Sequence, residues 1–293
     1  MPELPDIVAY VEALDRRIVG QTLEGVRIRG PFVVRSVDPP ISSAAGRQVI
    51  GVRRLGKRVV IALQEELFLV IHLMNAGRCL WKARGAPITN RISLAAFDFA
   101  AGSLILTEAG TTKRASIHLI RGPDGLREFD RGGLEVLDAS LSDFASRLRV
   151  ENHTLKRSLT DPRLFSGIGN AYSDEILHRA RLSPVQLTKK MSDGDIARLF
   201  EATKVTLTDW TNRFREQIGD GFPEKVTAFR PEMAVHGKFG QPCPDCGAPV
   251  QRIRYANNET NYCARCQTGG RLLADRALSR LLGRDWPKTI DNL

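Results

Sequence analysis

The stretch CPDCGAPVQRIRYANNETNYCARC, residues 243–266, holds four of the five cysteines of this 293-residue chain. It reads Cys-x2-Cys, sixteen residues, then Cys-x2-Cys. Each pair sets two thiolates on one side of a tight knuckle, and four thiolates complete a tetrahedral zinc shell with no open position for catalysis. The expected cofactor is one structural zinc ion held by Cys243, Cys246, Cys263 and Cys266. The competing reading, two disulfides in a small ribbon, fits an intracellular chain poorly. Between the knuckles Val250, Ile253 and Tyr255 fit a β-hairpin, and Arg252, Arg254 and Arg265 leave positive charge for phosphate. The fifth cysteine, Cys79 in RCLW, reads as a small buried hydrophobe.

Upstream, SGIGNAYSDEILHRARLSP (166–184) places Gly167 and Gly169 in a tight turn ahead of a helix over 171–180. Amides at such a helix start hold a phosphate, and Asn170 adds a donor without charge. Most glycine turns of this kind are mere connections. The turn gains weight from the balance of the chain, with 43 Lys plus Arg against 33 Asp plus Glu, a formal charge of +10 and a pI near 9.7. A polyanion is the natural partner, because phosphate neutralisation releases counterions.

Towards the N-terminus, the runs VRIRG, RQVIGVRRLGKRVVIAL, LFLVIHLM, ISLAAFDF, SLILTEA and ASIHLIRG between residues 23 and 122 are short, β-branched and separated by turn formers. They predict an antiparallel sandwich or barrel. Ile7, Val8, Val11, Leu14 and Ile18 recur at helical spacing before Gly20, so a helix packs on it. From about 140 to 218 the periodicity becomes helical, and 219–237 reads as an ordered loop or a connection. No apolar run is long enough to span a membrane, and no signal peptide precedes the first helix. A cytoplasmic protein is expected.

The first six residues, MPELPD, are a stiff turn on the simplest reading. With Met1 removed they also present a secondary amine beside the carboxylate of Glu3.

Taken together, these segments resemble the Fpg/Nei family, the formamidopyrimidine-DNA glycosylases and endonuclease VIII. PELPD is similar to the family's PELPE start and LGKRVVI to its lysine-bearing strand. HLMNAG is similar to its HLxMxG segment, SGIGNAYSDEIL to its helix-two-turn-helix signature, and VHGKFGQPCPDCG with CARCQ to its zinc finger. The resemblance covers residues 2 to about 267. It implies an α+β multidomain protein with four parts: an N-terminal helix on an antiparallel β-sandwich (1–135), a helical helix-two-turn-helix domain (136–237), a four-cysteine zinc-finger β-hairpin (238–270) and a basic C-terminal extension (271–293).

The resemblance also implies a bifunctional DNA glycosylase/AP lyase of base excision repair. Pro2 attacks C1′ of the damaged, oxidised nucleotide and forms a Schiff base, Glu3 is acid and proton shuttle, and Lys57 assists at the sugar and phosphate. β,δ-Elimination then cuts the strand. His72 and Asn170 are carried over as phosphate contacts, and Arg114, Arg254 and Arg265 complete the expected DNA-binding set. The implied partner is double-stranded DNA with damaged bases or abasic sites, met by a monomer at the nucleoid. A catalytically inactive damage-binding protein on the same scaffold is the alternative; joint retention of Pro2, Glu3 and Lys57 argues against it.

The sequence departs from the family where the lesion is read. Asn75 stands at the position of the void-filling methionine, and Met74, read as the neighbouring strand residue, is expected in the core. TEAGTTKRAS (107–116) replaces the turn that supplies an inserted arginine and phenylalanine, with Arg114 as the remaining arginine. Asn258 replaces the finger's phosphate-binding arginine, leaving Arg254, Arg265 or Arg271 to compensate. GGRLLADRALSRLLGRDWP beyond the finger reads as a basic helix and tail, either a DNA contact or a packed cap.

Overall fold

The computed structural model describes the chain apart from residues 225, 227, 228, 256, 257 and 293, and describes only the backbone at 276 and 277. Its contacts divide the chain into two compact units, Met1–Arg131 with Trp210–Thr227, and Gly132–Asp209 with Ala228–Leu293.

The first unit opens on α1 (Leu4–Ile18), which starts where Pro5 occupies the first turn and Asp6 accepts the Glu3 N–H at 2.9 Å. Proline is tolerated there because its missing N–H would have no partner within the helix. Of the face that the spacing predicts, Ile7, Leu14 and Ile18 are fully buried against the sheets together with Tyr10, while Val8 and Val11 are only half-buried. Each such side chain contributes about 1.5–3 kcal/mol by burial.

The strands are β1 (Gly25–Ile28), β2 (Val49–Leu55), β3 (Arg58–Leu63), β4 (Leu67–His72), β5 (Gly77–Lys82), β6 (Ser93–Phe99), β7 (Gly102–Glu108) and β8 (Ser116–Arg121). Among the described residues they form two four-stranded sheets, ordered β1-β6-β7-β5 and β2-β3-β4-β8, with antiparallel pairing throughout. The period-2 alternation of β4 sends Leu67, Leu69 and Ile71 into the main core. Val70 faces the other way with Val60, where α2 (Gly122–Arg127) covers them with Leu126. The same alternation carries His72 to that outer face, paired with Arg58.

The second unit contains α3 (Leu141–Arg149), α4 (Leu155–Thr160), α5 (Asn170–Arg179) and the first part of α6 (Asp193–Ile218), whose last turns belong to the first unit. It continues through β9 (Gln251–Tyr255), β10 (Asn258–Tyr262), α7 (Ala264–Thr268) and α8 (Arg276–Leu282). β9 and β10 form the expected antiparallel hairpin. Val250 and Ile253 are buried, but Tyr255 turns out to solvent with its hydroxyl 3.0 Å from Thr260 Oγ1.

The C-terminal extension is a packed cap. Leu272, Leu273 and Ile290 share one core with Val250, Ile253 and Tyr262 of the finger. Asp275 is buried and accepts the Arg254 N–H at 2.7 Å and the Leu278 N–H at 3.1 Å, tying α8 to β9. No helix among the described residues is long and apolar enough to cross a membrane.

Candidate active site and nucleic-acid interface

Pro2 and Glu3 are buried at the head of α1. The amino terminus just before them senses four charged side chains. Burial first pushes its ammonium below the ordinary α-amino value, the carboxylates of Glu3 and Asp6 oppose this, and the cations Arg78 and Lys57 push it further down. Neither Asp6 nor Arg78 was given a role from the sequence. Asp6 was legible as a capping residue three positions after Glu3. Arg78 was not, because only strand pairing brings β5 to this end of the unit.

Lys57 corrects the sequence reading. It lies in the two-residue turn between β2 and β3, after Gly56 at φ 59°. Glycine at the first central position lets such a turn follow the twist of its hairpin. The lysine therefore projects from a hairpin tip, beside the chain start and His72. Burial, then Arg58, Lys57 and His118, take the His72 imidazole down to about 4. At neutral pH His72 is an uncharged donor or acceptor that brings no cation to a phosphate.

Met74 is not the core strand residue expected. β4 ends at His72, and Leu73–Gly77 closes a tight turn through the Gly77 N–H to Leu73 carbonyl bond at 2.9 Å. Within it Leu73 is buried, while Met74 is half-buried at φ 52° and Asn75 is exposed. Strand alternation has no meaning inside such a turn. Gly77 is required there, since a Cβ would stand 2.1 Å from the Leu73 carbonyl oxygen.

Gly77 pairs with Glu108 in the β5–β7 register, so the loop carrying Arg114 leaves the sheet beside this turn. The buried Glu108 carboxylate organises that loop. It accepts the Arg114 N–H at 3.0 and 2.9 Å and the Ala115 N–H at 3.0 Å, leaving the Arg114 side chain exposed. Glu108 is the residue that sequence reasoning missed here. An acid at a strand end carries no signal of a loop seven residues on.

In the second unit, Gly167 at φ 79° allows the turn that starts α5. The Asn170 side-chain amide donates to the Glu259 carbonyl at 3.0 Å, joining this turn to the finger hairpin. Beneath it the Lys156 ammonium donates to the Asn170 carbonyl and to Asp174, both at 2.6 Å. The other Asp174 oxygen meets His236 Nδ1 at 2.8 Å. Glu175 accepts the N–H groups of Ala234, Val235 and His236 at 2.8–2.9 Å.

Arg254 stands exposed on β9, 3.8 Å from Glu259 and diagonal to Asn258. Arg265 lies on α7, 3.5 Å from Asp291 of the extension. Arg252 stacks over Phe239 at 4.0 Å.

The four finger sulfurs lie within 4.8 Å of one another. Cys243 and Cys266 are 3.9 Å apart, Cys246 and Cys263 3.4 Å. Zinc–sulfur bonds of about 2.3 Å at tetrahedral angles require sulfurs about 3.8 Å apart. These contacts are far too long for disulfides. The four cysteines fit one structural zinc ion. Cys79, by contrast, is fully buried and its thiol is pushed up to about 12 by burial, which keeps it inert.

Three family models match in chain order: the formamidopyrimidine-DNA glycosylase N-terminal domain over residues 1–109, its H2TH domain over 134–213, and the zinc finger found in FPG and IleRS over 240–269. The formamidopyrimidine-DNA glycosylase of Heliobacterium modesticaldum is 32% identical over 281 residues, covering 91% of this chain and all of that one. An uncharacterized formamidopyrimidine-DNA glycosylase-like protein of Mycobacterium tuberculosis is 41% identical over 150 residues, 51% of this chain and 93% of its own. Among solved structures, the Lactococcus lactis formamidopyrimidine-DNA glycosylase bound to DNA with an AP site matches with a TM-score of 0.79 at 26% identity. That match covers 91% of this chain and 99% of the other. The same enzyme with oxidised-pyrimidine DNA matches at 0.78 and 26%, covering 91% and 100%. With its N-terminal, H2TH and zinc-finger domains all matched, the chain belongs to the formamidopyrimidine-DNA glycosylase family.

Proposed function

We propose that the protein is a bifunctional DNA glycosylase and AP lyase that removes oxidised bases from duplex DNA in base excision repair, with Pro2, once Met1 is removed, as its nucleophile. The observation that carries this reading is the burial of both Pro2 and Glu3 at the head of α1, so that removal of Met1 bares a secondary amine beside a buried carboxylate. The Met1 ammonium one residue upstream is already pushed below its ordinary value, chiefly by burial, and a neutral amine is the nucleophilic form.

In the proposed sequence the Pro2 nitrogen bonds to C1′ and the bond from C1′ to the base breaks with its electron pair. A proton supplied through Glu3 neutralises the leaving base; the amine then loses its own proton, its lone pair forms the C1′=N bond, and the C1′–O4′ bond breaks as O4′ takes up a proton. The resulting iminium acidifies the C2′ proton. Its removal expels the 3′ phosphate, and loss of the C4′ proton in a second elimination expels the 5′ phosphate. The target nucleotide must leave the stack to reach the amine. Lys57 counters phosphate charge, His72 contributes as a neutral hydrogen-bond donor, and Arg114 faces the duplex from its Glu108-braced loop. Asn170, Arg254 and Arg265 hold phosphates from the second unit.

The test is borohydride trapping on abasic and oxidised-base duplexes, with intact mass confirming the start at Pro2. A covalent complex that disappears in Pro2→Gly is expected. Tight binding with neither trapping nor strand cleavage would overturn the reading and leave a damage-binding protein.

A further inference from the structure

α5 does more than start a phosphate-binding turn, because each of its turns holds a part of the finger or of the chain leading into it. Asn170 reaches the hairpin at Glu259, and Glu175 gathers the amides of 234–236. One turn further, His178 is 4% exposed, and its Nε2 lies 3.3 Å from Cys243 Sγ. The Asp245 carboxylate, inside the first knuckle, lies 4.0 Å from the same nitrogen. Just past the helix, the Gln267 side chain donates to the Leu182 carbonyl at 2.9 Å.

His178 is not needed as a ligand, since the four thiolates already close the shell. His178, Asp245 and Cys266 also lie within metal-binding distance of one another, but they share Cys266 with that shell and form no independent site. Four thiolates around a divalent cation leave a net charge of about −2 in a largely buried place. A centre of that kind is stabilised by N–H groups directed at its sulfurs, in the way outer partners orient and tune metal ligands.

We propose that His178 is a positioning residue of the zinc centre: its Nε2–H donates to the Cys243 thiolate, so the metal site is fixed directly to the helix whose other end carries Asn170. The inference concerns the zinc site alone. Failure to trap DNA at Pro2 would leave it standing.

The experiment uses the full-length chain loaded with zinc, and in parallel with cobalt(II). H178F replaces the imidazole with an apolar ring, and H178Q keeps an N–H donor. H178F is expected to lose zinc to a competing chelator about 10-fold faster or more. Its cobalt form is expected to show the sulfur-to-metal charge-transfer band at lower energy, because a thiolate without its donor gives up charge more readily. H178Q should recover most of both properties. A folded H178F with the release rate and band of the parent chain would overturn the proposal, as would an H178Q indistinguishable from H178F.

If H178F does not fold, the parent chain decides. Loaded with NMR-active cadmium, it should show scalar coupling between the metal and the His178 ring N–H, transmitted through the sulfur. Absence of that coupling in the folded, cadmium-loaded protein would equally overturn the assignment.

Discussion

The charged centre at the head of α1 and the one beneath Asn170 use buried carboxylates in different ways. At α1, Glu3 and Asp6 stand beside a chain terminus whose proton affinity is lowered mainly by burial and by the cations Arg78 and Lys57. In the second unit, Asp174 is fully buried and bonded at once to Lys156 and His236, while Glu175 accepts three backbone amides. The first arrangement surrounds a chain terminus with charges of both signs and lowers its proton affinity. The second joins a helix to the segment that leads into the finger. The contrast teaches that burial of an acid does not by itself mark chemistry: its partners do.

Four measurements test that contrast. Glu3→Gln should reduce excision of an oxidised base by about 10²–10⁴-fold and cleavage of a preformed abasic site much less, with unfolding unchanged. Equal losses on both substrates would contradict the acid role. Lys156→Met should act in the opposite sense. It leaves Asp174 buried without its strongest partner, at a cost of about 3–5 kcal/mol in denaturant unfolding. A loss below about 1 kcal/mol would show the ion pair to be dispensable.

Arg254→Ala tests whether this arginine serves in place of the one replaced by Asn258. Binding to an abasic-analogue duplex should weaken, and the slope of log affinity against log salt should fall by about 1. An unchanged slope would remove Arg254 from the phosphate contacts.

At neutral pH the smallest effect concerns His72, whose folded value of about 4 lies below the ordinary imidazole value of about 6.5. As pH falls, the unfolded chain takes up this proton near 6.5, while the folded chain resists until about 4. Stability is therefore full above the unfolded value and declines across that window. His72→Gln should flatten the decline. Superimposable pH profiles for the two proteins would show that His72 is not held neutral.

Much of the candidate site was readable in order along the chain. Pro2 and Glu3 are neighbours in sequence, the zinc ligands come as two local pairs, and the glycine turn before α5 sits on consecutive residues. Local chemistry of this kind survives reading without coordinates. Lys57 and Met74 were misread for one shared reason: apolar runs mark strands well, but the residue where a strand stops depends on turn geometry. The C-terminal extension could be identified as a helix and tail, yet not as part of the finger core. Its buried leucines find their partners only when β9 and β10 have folded.

By itself the sequence determined the element types, the sandwich alternation, the four-thiolate spacing and the adjacency of amine and acid, because each depends on residues a few positions apart. The tertiary structure decided which charges face one another. Pairing β5 with β7 set Gly77 opposite Glu108 and thereby placed the Arg114 loop beside the Leu73–Gly77 turn. Folding of the second unit brought Lys156, Asp174 and His236 together, and His178 to Cys243. Those contacts join residues 18 to 65 positions apart, and no local pattern records a distance that only chain packing creates.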